Sequence, residues 1–295
     1  MIRLPKYIES SDGTLWLTEE EKEHVKVSYR IKNVLTEEQS RFQHVMVLDS
    51  AAFGPMLVLD GIVQTTAIDG FIYNEMITHM PLSLHRNPRR VLIIGGGDLG
   101  AAREATKYDS VEHIDLVEID EAVVRACMAH LPEVSGGREL DPRIHIHSRD
   151  GVEFVKQLQD QDRYDVIIVD SSDPIGPATQ LFELSFYREL HRALNEDGIL
   201  VCQSQSPIFH QDVMTQTYAR ISSLFPDTRM YTAVVPTYPG GLWSFTLGAK
   251  QALPETDRIS FDKQARYVNE AILRSSFALP AFVERLLKEA MNARA

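Results

Sequence analysis

Residues 90–100 read RVLIIGGGDLG, and this stretch decides the fold. The apolar run at residues 91–94 is typical of a buried strand, and the glycines at 95, 97 and 100 follow the pattern G-x-G-x-x-G. Glycines in this pattern permit a tight turn and let a ligand approach the backbone at the start of the next helix. The stretch therefore predicts a strand, a ligand-binding turn and a helix, which together open a Rossmann-like fold.

More hydrophobic strands follow at the spacing of successive βαβ units, with helical patterns between them. We predict them at residues 113–120, 143–148, 164–170 and 198–204. This alternation is typical of a parallel sheet with helices on both faces. The segments on either side of the turn TYPGG, residues 237–241, predict an antiparallel hairpin at the sheet edge.

Short β-rich runs fill residues 13–66, where turn signals such as Asp60-Gly61 separate them. They predict a small antiparallel β-domain ahead of the first helical segment. We therefore predict an α/β protein with two domains, an N-terminal β-domain over residues 1–66 and a Rossmann-like catalytic domain over residues 67–295.

The bulk properties of the 295-residue chain argue against several classes of protein. A general nucleic-acid binder needs a basic face, whereas the net charge here is −12, which suits a cationic small ligand. The two cysteines, Cys127 and Cys202, indicate neither a disulfide framework nor a CxxC metal site. We find no pattern of a signal peptide or a membrane span and predict a cytoplasmic protein.

Several positions at the predicted strand ends could bind a nucleoside. Glu118, near the end of the second strand of this sheet, can accept hydrogen bonds from ribose hydroxyls. Asp150 and Gly151 can approach the edge of an adenine, although Asp150 could equally cap the next helix. Asp98 lies inside the glycine turn, where a carboxylate would repel a pyrophosphate and attract a sulfonium or ammonium group. The pattern therefore favours an adenosyl ligand with a cationic tail over NAD.

The strand at residues 164–170 runs into the sequence DSSDPIGPA, which places Asp170 and Asp173 where open α/β sheets bind their ligands. An Asx turn is the structural alternative for either aspartate. A primary amine has a pKa of about 10.4 and arrives protonated, so a carboxylate must accept its proton before it can attack. A second carboxylate would hold the other end of a polycation. The acidic loop thus indicates chemistry on an amine.

Six motifs, in this order and spacing, resemble those of the spermidine synthases over nearly the whole chain. They are LVLDGIVQTT (57–66), FIYNEM (71–76), VLIIGGGDLG (91–100), VEID (117–120), DSSDPIGPA (170–178) and PTYPGG (236–241). The resemblance implies a methyltransferase-like Rossmann domain, a homodimer or homotetramer, and decarboxylated S-adenosylmethionine as co-substrate, with no separate cofactor and no metal. It also implies transfer of an aminopropyl group to a diamine, first of all putrescine, with release of 5′-methylthioadenosine.

The resemblance also implies roles for individual residues. Asp170 matches the proton acceptor, Asp173 an anchor for the acceptor amine, and Asp98 the group that binds the amine of the donor's aminopropyl chain. The other residues matched to the donor site are Gln43, Gly95, Gly97, Glu118, Asp150, Gly151 and Pro177, and those matched to the acceptor channel are Tyr73, Asn74, Asp98 and Tyr238.

The chain departs from the family pattern at several positions. Leu99 stands where glycine is usual, and we expect its side chain to point away from the donor unless its backbone requires a positive φ. Gly70 and Gln205 replace residues that are commonly acidic, and Asn74 replaces Gln or His. Because fewer carboxylates would weaken the grip on a compact dication, cadaverine, agmatine and spermidine stay open as acceptors beside putrescine.

Two rival functions stay open as well. One is an amine N-methyltransferase that uses S-adenosylmethionine, against which Asp98 argues, and the other is a non-catalytic polyamine- or nucleoside-binding protein. Among the weaker candidate sites, His145 and His147 are expected in solvent or in the core rather than on a metal. Glu75 and His79 are expected to form a side-chain pair on one face of a helix.

Overall fold

The structure, a computed structural model, describes residues 4–159, 163–173 and 176–292, except the side chains of residues 176 and 177. Within these residues the chain forms two β-sheets. The first sheet is antiparallel, and each strand pairs with the next in the chain. Its strands are β1 (Ile8–Ser11), β2 (Thr14–Glu21), β3 (Val25–Gln39), β4 (His44–Ser50), β5 (Gly54–Leu59) and β6 (Ile62–Thr66).

The second sheet has the order β12-β13-β11-β10-β7-β8-β9. Its strands are β7 (Arg90–Gly95), β8 (His113–Glu118), β9 (Ile144–Ser148), β10 (Tyr164–Asp170), β11 (Leu194–Gln203), β12 (Asp227–Val234) and β13 (Leu242–Ala249). Strands β7 to β11 run parallel, whereas β12 and β13 form the predicted antiparallel hairpin at the edge. The sequence prediction of a mixed α/β sheet preceded by an antiparallel β-sheet is confirmed.

Helices cover both faces of the second sheet. They are α1 (Gly70–Leu84), α2 (Gly100–Ala105), α3 (Glu121–His130), α4 (Pro132–Ser135), α5 (Gly151–Gln157), α6 (Leu184–Ala193), α7 (Gln211–Ser222), α8 (Glu270–Ser275) and α9 (Ala281–Asn292), with 3-10 helices at Gly176–Phe182 and Thr256–Arg258. Side chains alternate along a strand, so Ile93 of β7 packs in one core with α1, and Ile94 packs in another with α5. Both faces of β7 are therefore buried, which explains why its sequence is a continuous apolar run.

Strand β4 joins the two sheets into one body. Its Met46 and Leu48 pack in the core of the first sheet. Between them, Val45 and Val47 point to the other face and pack against Ala126 and neighbouring residues of α3. Both faces of β4 are therefore buried, and the N-terminal sheet lies directly against the helices of the second domain.

The chain order of the second sheet reverses between β7 and β10, because β8 and β9 extend to one side of β7 and β10 returns to the other. Open α/β sheets bind ligands in the crevice that such a reversal leaves at the carboxyl ends of the strands. This crevice lies beside Gly95 and Asp170, which end β7 and β10 and pair with each other. Among the described residues, no helix has the length and apolar character needed to cross a membrane.

Candidate active site

A cavity of about 320 Å³ lies over the carboxyl ends of β7, β8 and β10. Gly95, Glu118 and Asp170, which end these three strands, all line it. The N-terminal sheet supplies another part of the wall, including Glu19 and Leu57. The cavity is therefore at the predicted position in the α/β sheet, and it is also an inter-domain cavity.

The glycines of the turn at the end of β7 lie very close to the backbone and side chains of neighbouring elements. Gly95 has a φ of 82°, and a Cβ there would lie 2.1 Å from the carbonyl oxygen of Asp170. A Cβ on Gly97 would lie 2.9 Å from Oε2 of Glu118. A Cβ on Gly95 would collide with the backbone of β10, so packing requires glycine there, whereas a Cβ on Gly97 would press against the side chains of Glu118 and Val123.

Asp98 lies in the cavity wall and is held from two sides. Its Oδ1 accepts a hydrogen bond of 2.8 Å from the backbone N–H of Gly100, and its Oδ2 accepts one of 3.3 Å from Nδ2 of Asn74. Burial raises the pKa of Asp98 in spite of these hydrogen bonds. Asn74 itself is absent from the described cavity wall, so it contacts the site through Asp98 rather than directly.

The side chain of Leu99 is fully buried in the main hydrophobic core and does not line the cavity, as expected. Its backbone is nevertheless left-handed, with a φ of 67°. A leucine in this region is strained, and the glycine that is usual at this position would not be. The departure therefore leaves the wall of the cavity unchanged and strains the backbone of the turn.

Glu118 and Gln43 approach the cavity from different domains and meet the same residue, Asp120. Oε1 of Glu118 accepts a hydrogen bond of 2.9 Å from the backbone N–H of Asp120, and Nε2 of Gln43 donates one of 3.0 Å to Oδ2 of Asp120. Asp120 also caps α3 through the N–H of Ala122. Burial and the charge of Asp120 raise the pKa of Glu118 to about 7. Asp120 was not among the site residues predicted from the sequence, although an aspartate just before a helical segment is a typical N-cap.

Asp150 caps a helix, which is one of the two roles left open for it, and it also lies in the cavity wall. Its Oδ1 accepts hydrogen bonds of 2.7 and 3.1 Å from the N–H groups of Val152 and Glu153, which caps α5. Asp150 and Gly151 also line the cavity. A Cβ on Gly151 would lie 2.6 Å from Cγ2 of Ile94, so the start of α5 can approach β7 only because this residue is glycine.

Asp170 ends β10 and faces the cavity. Its Oδ1 accepts a hydrogen bond of 2.7 Å from the hydroxyl of Tyr73 on α1. Burial, followed by the charges of Asp98 and Glu118, raises the pKa of Asp170 to about 8, and the hydrogen bond from Tyr73 opposes this rise. A carboxyl group with this pKa can change its protonation state near neutral pH, which a general base must do.

Aromatic residues form the wall beside Asp170. The rings of Tyr73 and Tyr238 meet edge to face with centroids 5.7 Å apart, and Tyr238 also meets Trp243 at 4.6 Å. The Tyr238 hydroxyl donates a hydrogen bond of 2.7 Å to the backbone oxygen of Gln64, in β6. The predicted aromatic residues thus lie together, and Tyr238 connects the second domain to the N-terminal sheet through its hydrogen bond.

Asp173 lies three residues beyond Asp170 and also lines the cavity. Its Oδ1 accepts a hydrogen bond of 2.7 Å from Nε2 of Gln205. A glutamate at 205 would instead bring a second carboxylate against Asp173, so this departure from the family pattern changes the local charge. Pro177, which was matched to the donor, has its backbone in the 3-10 helix, but its side chain lies outside the described residues.

Sequence reasoning missed two carboxylates that the N-terminal sheet contributes. Glu19 is buried in the cavity wall, and its Oε2 accepts a hydrogen bond of 3.3 Å from the N–H of Val63. Burial, with smaller effects of Asp173 and Glu21, raises its pKa to about 7. Glu21 lines the same cavity. The prediction of fewer carboxylates than in the family pattern concerned positions 70 and 205 of the second domain and did not include these two residues of the N-terminal sheet.

The expected pairing of Glu75 with His79 is wrong. The carboxylate of Glu75 accepts three hydrogen bonds of 2.8 to 2.9 Å from the backbone N–H groups of residues 266–268. His79 instead lies 2.9 Å from Oε2 of Glu104. Three buried N–H donors satisfy a carboxylate better than one imidazole does, which explains the difference.

The histidines of β9 have ordinary side-chain partners. His145 is exposed and stacks on His113, and Nε2 of His147 lies 2.6 Å from Asp115. Another His/Asp group, His85, Asp165 and Asp197, is close enough to hold a metal ion. Asp165 lies near the start of β10, whereas Asp170 ends it, so this group is at the opposite edge of the sheet from the cavity.

The chain is similar to known proteins over nearly its whole length. Residues 70–259 match the spermine/spermidine synthase domain, and residues 15–67 match the spermidine synthase tetramerisation domain. The polyamine aminopropyltransferase of Desulforudis audaxviator is 46% identical over 274 residues, which cover 91% of this chain and 98% of the relative. That of Moorella thermoacetica is 45% identical over 276 residues, which cover 93% and 96%.

Two solved structures are similar in fold as well as in sequence. A spermidine synthase in complex with the transition-state analogue AdoDATO has a TM-score of 0.88 and 36% identity, over 97% of this chain and 99% of that one. The spermidine synthase from Thermotoga maritima has a TM-score of 0.85 and 36% identity, over 97% and 98%. These matches confirm the resemblance that the sequence motifs indicated: the chain belongs to the spermine/spermidine synthase family.

Proposed function

We propose that this enzyme transfers the aminopropyl group of decarboxylated S-adenosylmethionine to putrescine, which gives spermidine and 5′-methylthioadenosine. The observation that carries the proposal is the pair of partly buried carboxylates, Asp98 and Asp170, that line one cavity and interact electrostatically. A cationic ligand would stabilise both groups in their ionised forms, whereas a pyrophosphate would be repelled. The names of the relatives support the same activity.

The donor would occupy the part of the cavity between the glycine turn and the start of α5. Glu118 offers carboxylate oxygens to the ribose hydroxyls, and Asp150 with Gly151 lies where α5 begins, available to the adenine. Gln43 would close this part from the N-terminal sheet. Asp98 would bind the ammonium of the aminopropyl chain, and its charge would disfavour S-adenosylmethionine, which carries an additional carboxylate.

Asp170 would accept the proton of the attacking amine. Its Oδ1 is held by Tyr73, and its Oδ2 lies beside Gly96, where a Cβ would be only 3.1 Å away. The nitrogen lone pair then forms a bond to the carbon beside the sulfonium, and the electron pair of the breaking C–S bond leaves with sulfur as methylthioadenosine. The proposal includes neither a metal nor a further cofactor, because a sulfonium is already a good leaving group.

The acceptor would lie between the aromatic wall and the acidic loop. Tyr73 and Tyr238 would contact its methylene chain, since aromatic faces pack well against apolar segments of a cation. Asp173 would bind the distal ammonium of the diamine. Glu19, which lies close enough to interact electrostatically with Asp173, adds a second negative group there. Putrescine is a short dication with two amino groups, of which one would lie at Asp170 and the other at Asp173 and Glu19.

We further propose that the chain forms a homotetramer. The support is the match of residues 15–67 to the spermidine synthase tetramerisation domain. These residues cover β2 to β6, the sheet that also supplies Glu19 and Gln43 to the cavity. Light scattering coupled to size-exclusion chromatography would measure the subunit count directly.

The first experiment measures methylthioadenosine release from decarboxylated S-adenosylmethionine with putrescine, cadaverine, agmatine and spermidine as separate acceptors. Release with putrescine, and none when S-adenosylmethionine is the donor, is the expected result. Formation of adenosylhomocysteine from S-adenosylmethionine would instead make the chain a methyltransferase. Binding of either donor without any product would make it a polyamine- or nucleoside-binding protein.

The second experiment tests the role of Asp170. We expect Asp170→Asn to lower kcat by roughly 10²- to 10⁴-fold, the usual contribution of a general base, and to retain donor affinity in a calorimetric titration. Asp197→Asn, at the opposite edge of the sheet, is the control and should leave kcat unchanged. If Asp170→Asn had wild-type turnover, Asp170 would not be the general base.

A further inference from the structure

Strand β2 carries a row of carboxylates along the cavity wall. Glu19 and Glu21 both line the cavity, and residues two apart on a strand point to the same face. At a rise of about 3.4 Å per residue, their Cα atoms are separated by roughly 7 Å. This separation is comparable to the distance between successive nitrogens in a polyamine. The two carboxylates could therefore bind successive ammonium groups of one chain.

The row continues the acidic end of the acceptor site. Asp173 and Glu21 are both close enough to Glu19 to interact with its charge, and all three line the cavity. Asp173 belongs to the same loop as Asp170, where the amine would react. Asp173, Glu19 and Glu21 therefore place three carboxylates in the cavity wall besides that of Asp170.

The last carboxylate of the row is already occupied by a side chain of the other domain. Nε2 of His210 lies 3.3 Å from Oε1 of Glu21, and the two side chains are only 20% and 11% exposed. His210 precedes α7 and also lines the cavity. Its Nδ1 is buried without a hydrogen-bond partner among the described residues. Glu21 is thus the described polar contact of this imidazole, and losing it would leave both ring nitrogens unsatisfied.

We propose that Glu21 and His210 form a filter for acceptor length, in which His210 occupies the carboxylate that a third ammonium group would need. The inference rests on the proposed aminopropyl transfer and concerns the acceptor of that reaction. A diamine ends at Asp173 and Glu19 and does not disturb the pair. A triamine such as spermidine would have to displace His210 from Glu21, and the buried imidazole would then lack a partner, which is costly.

The test compares kcat/KM for putrescine and spermidine in variants of the pair. His210→Leu removes the partner of Glu21 and keeps much of the side-chain volume, and we expect it to raise the spermidine-to-putrescine ratio about tenfold, mainly through the KM for spermidine. Glu21→Gln added to His210→Leu should remove the gain, because the third ammonium then has no carboxylate to bind. A ratio in His210→Leu within about twofold of wild type would overturn the proposal.

A matched control separates the filter from a general change in charge. Lys22 lies next to Glu21, contacts Asp212 at 4.0 Å and does not line the described cavity. Lys22→Gln removes a positive charge from the same hairpin, so it should leave the ratio unchanged. A gain in Lys22→Gln as large as in His210→Leu would show that net charge, and not the release of Glu21, sets the preference.

Direct binding distinguishes failure of the filter from failure of the proposed function. Spermidine is titrated calorimetrically into Asp170→Asn and into Asp170→Asn with His210→Leu, each saturated with decarboxylated S-adenosylmethionine. The donor is used because, beside methylthioadenosine, spermidine would bind as the product and reach Asp98 instead of Glu21. Tighter binding to the double variant supports the filter even if no aminopropyl transfer is detected, in which case only the proposed reaction fails. Equal or weaker binding overturns the filter, whatever the turnover of the wild type with putrescine.

Discussion

Leu99 affects the stability of the fold in two opposite ways. Its left-handed backbone is unfavourable for a side chain by roughly 1–2 kcal/mol, whereas loss of a buried leucine costs roughly 2–5 kcal/mol. Packing therefore outweighs strain, and both Leu99→Ala and Leu99→Gly should lower the free energy of unfolding. Because the two variants lose the same packing to within one methyl group, glycine should be the less destabilising of the two, by about 1 kcal/mol.

Chemical denaturation of the two Leu99 variants measures this difference. Donor affinity is the control, because Leu99 does not line the cavity and its replacement should leave binding nearly unchanged. If Leu99→Gly were the less stable variant, the left-handed backbone would not be a significant source of strain in this turn.

Asp98 is the residue that should separate the two possible adenosyl donors. Asp98→Asn keeps the size of the side chain and an oxygen for the N–H of Gly100, but it removes the negative charge. We expect affinity for decarboxylated S-adenosylmethionine to fall by about tenfold or more and affinity for S-adenosylmethionine to fall less or to rise. Titration of both donors into both proteins gives the ratio, and an unchanged ratio would contradict a discriminating role for Asp98.

At the scale of single elements, Asp150 is expected to act both on the stability of helix α5 and on the proposed binding of the donor. Asp150 caps this helix through two N–H groups and also lines the cavity. A serine at this position can still cap the helix, but its side chain is shorter and neutral. An alanine can neither cap the helix nor offer a polar atom to the donor. We expect Asp150→Ala to cost about 1 kcal/mol of stability and Asp150→Ser much less, while both weaken donor binding. Thermal denaturation and donor titration together separate the two roles, and equal stability of the two variants would rule out the cap.

The sequence predicted those parts of the site that follow from a single strand and the turn after it. Gly95, Asp98, Glu118 and Asp170 each lie at or just past a strand end, and the parallel order of the strands is enough to bring strand ends together. The apolar runs and the glycine pattern are local signals, so the sheet and its helices could be predicted from them.

Contacts between distant elements could not be predicted in the same way. Glu19 reaches the cavity because of how the N-terminal sheet packs on α3, and no periodicity of β2 encodes that packing. Glu75 accepts hydrogen bonds from backbone groups as far as 193 positions away along the chain, and its helical spacing to His79 suggested a different partner. Local spacing specifies which residues could interact, whereas tertiary packing decides which ones do.

At the scale of the whole molecule, the cavity concentrates acidic groups in a buried space between two domains. Burial is the largest cause of a raised pKa for Asp170, about 8, and for Glu118 and Glu19, about 7 each. In an unfolded chain these carboxyl groups titrate near about 4. The folded protein therefore binds more protons than the unfolded chain between these values. The stability that these groups contribute is fully present below about pH 4 and is lost as the pH rises through 7 and 8.

A group with the opposite shift does not cancel this trend. Burial acts to raise the pKa of Glu104, but hydrogen bonds from His79 and Lys107 outweigh it and lower the pKa to about 2. Its stabilising contribution is complete above the unfolded value of about 4.3, so it is constant across the neutral range. Burial also raises the pKa of Asp98, which adds to the fall, whereas burial lowers the pKa of His191, which opposes it. The cavity carboxyls outnumber this one histidine, so we expect a net fall in stability between about pH 4 and pH 8.

We therefore expect the melting temperature of the ligand-free protein to fall between about pH 5 and pH 8 and to level off above that. Methylthioadenosine with spermidine should flatten this slope, because a bound polycation stabilises the ionised carboxylates and so gives its largest stabilisation at the high end of the range. Asp170→Asn should have a shallower slope without ligand, since it removes the group with the highest of the three pKa values. Differential scanning fluorimetry across this range measures all three slopes. A melting temperature that rises with pH in the ligand-free protein would mean that the cavity carboxyls are not held protonated by burial, and the electrostatic account of cation binding would fail with it.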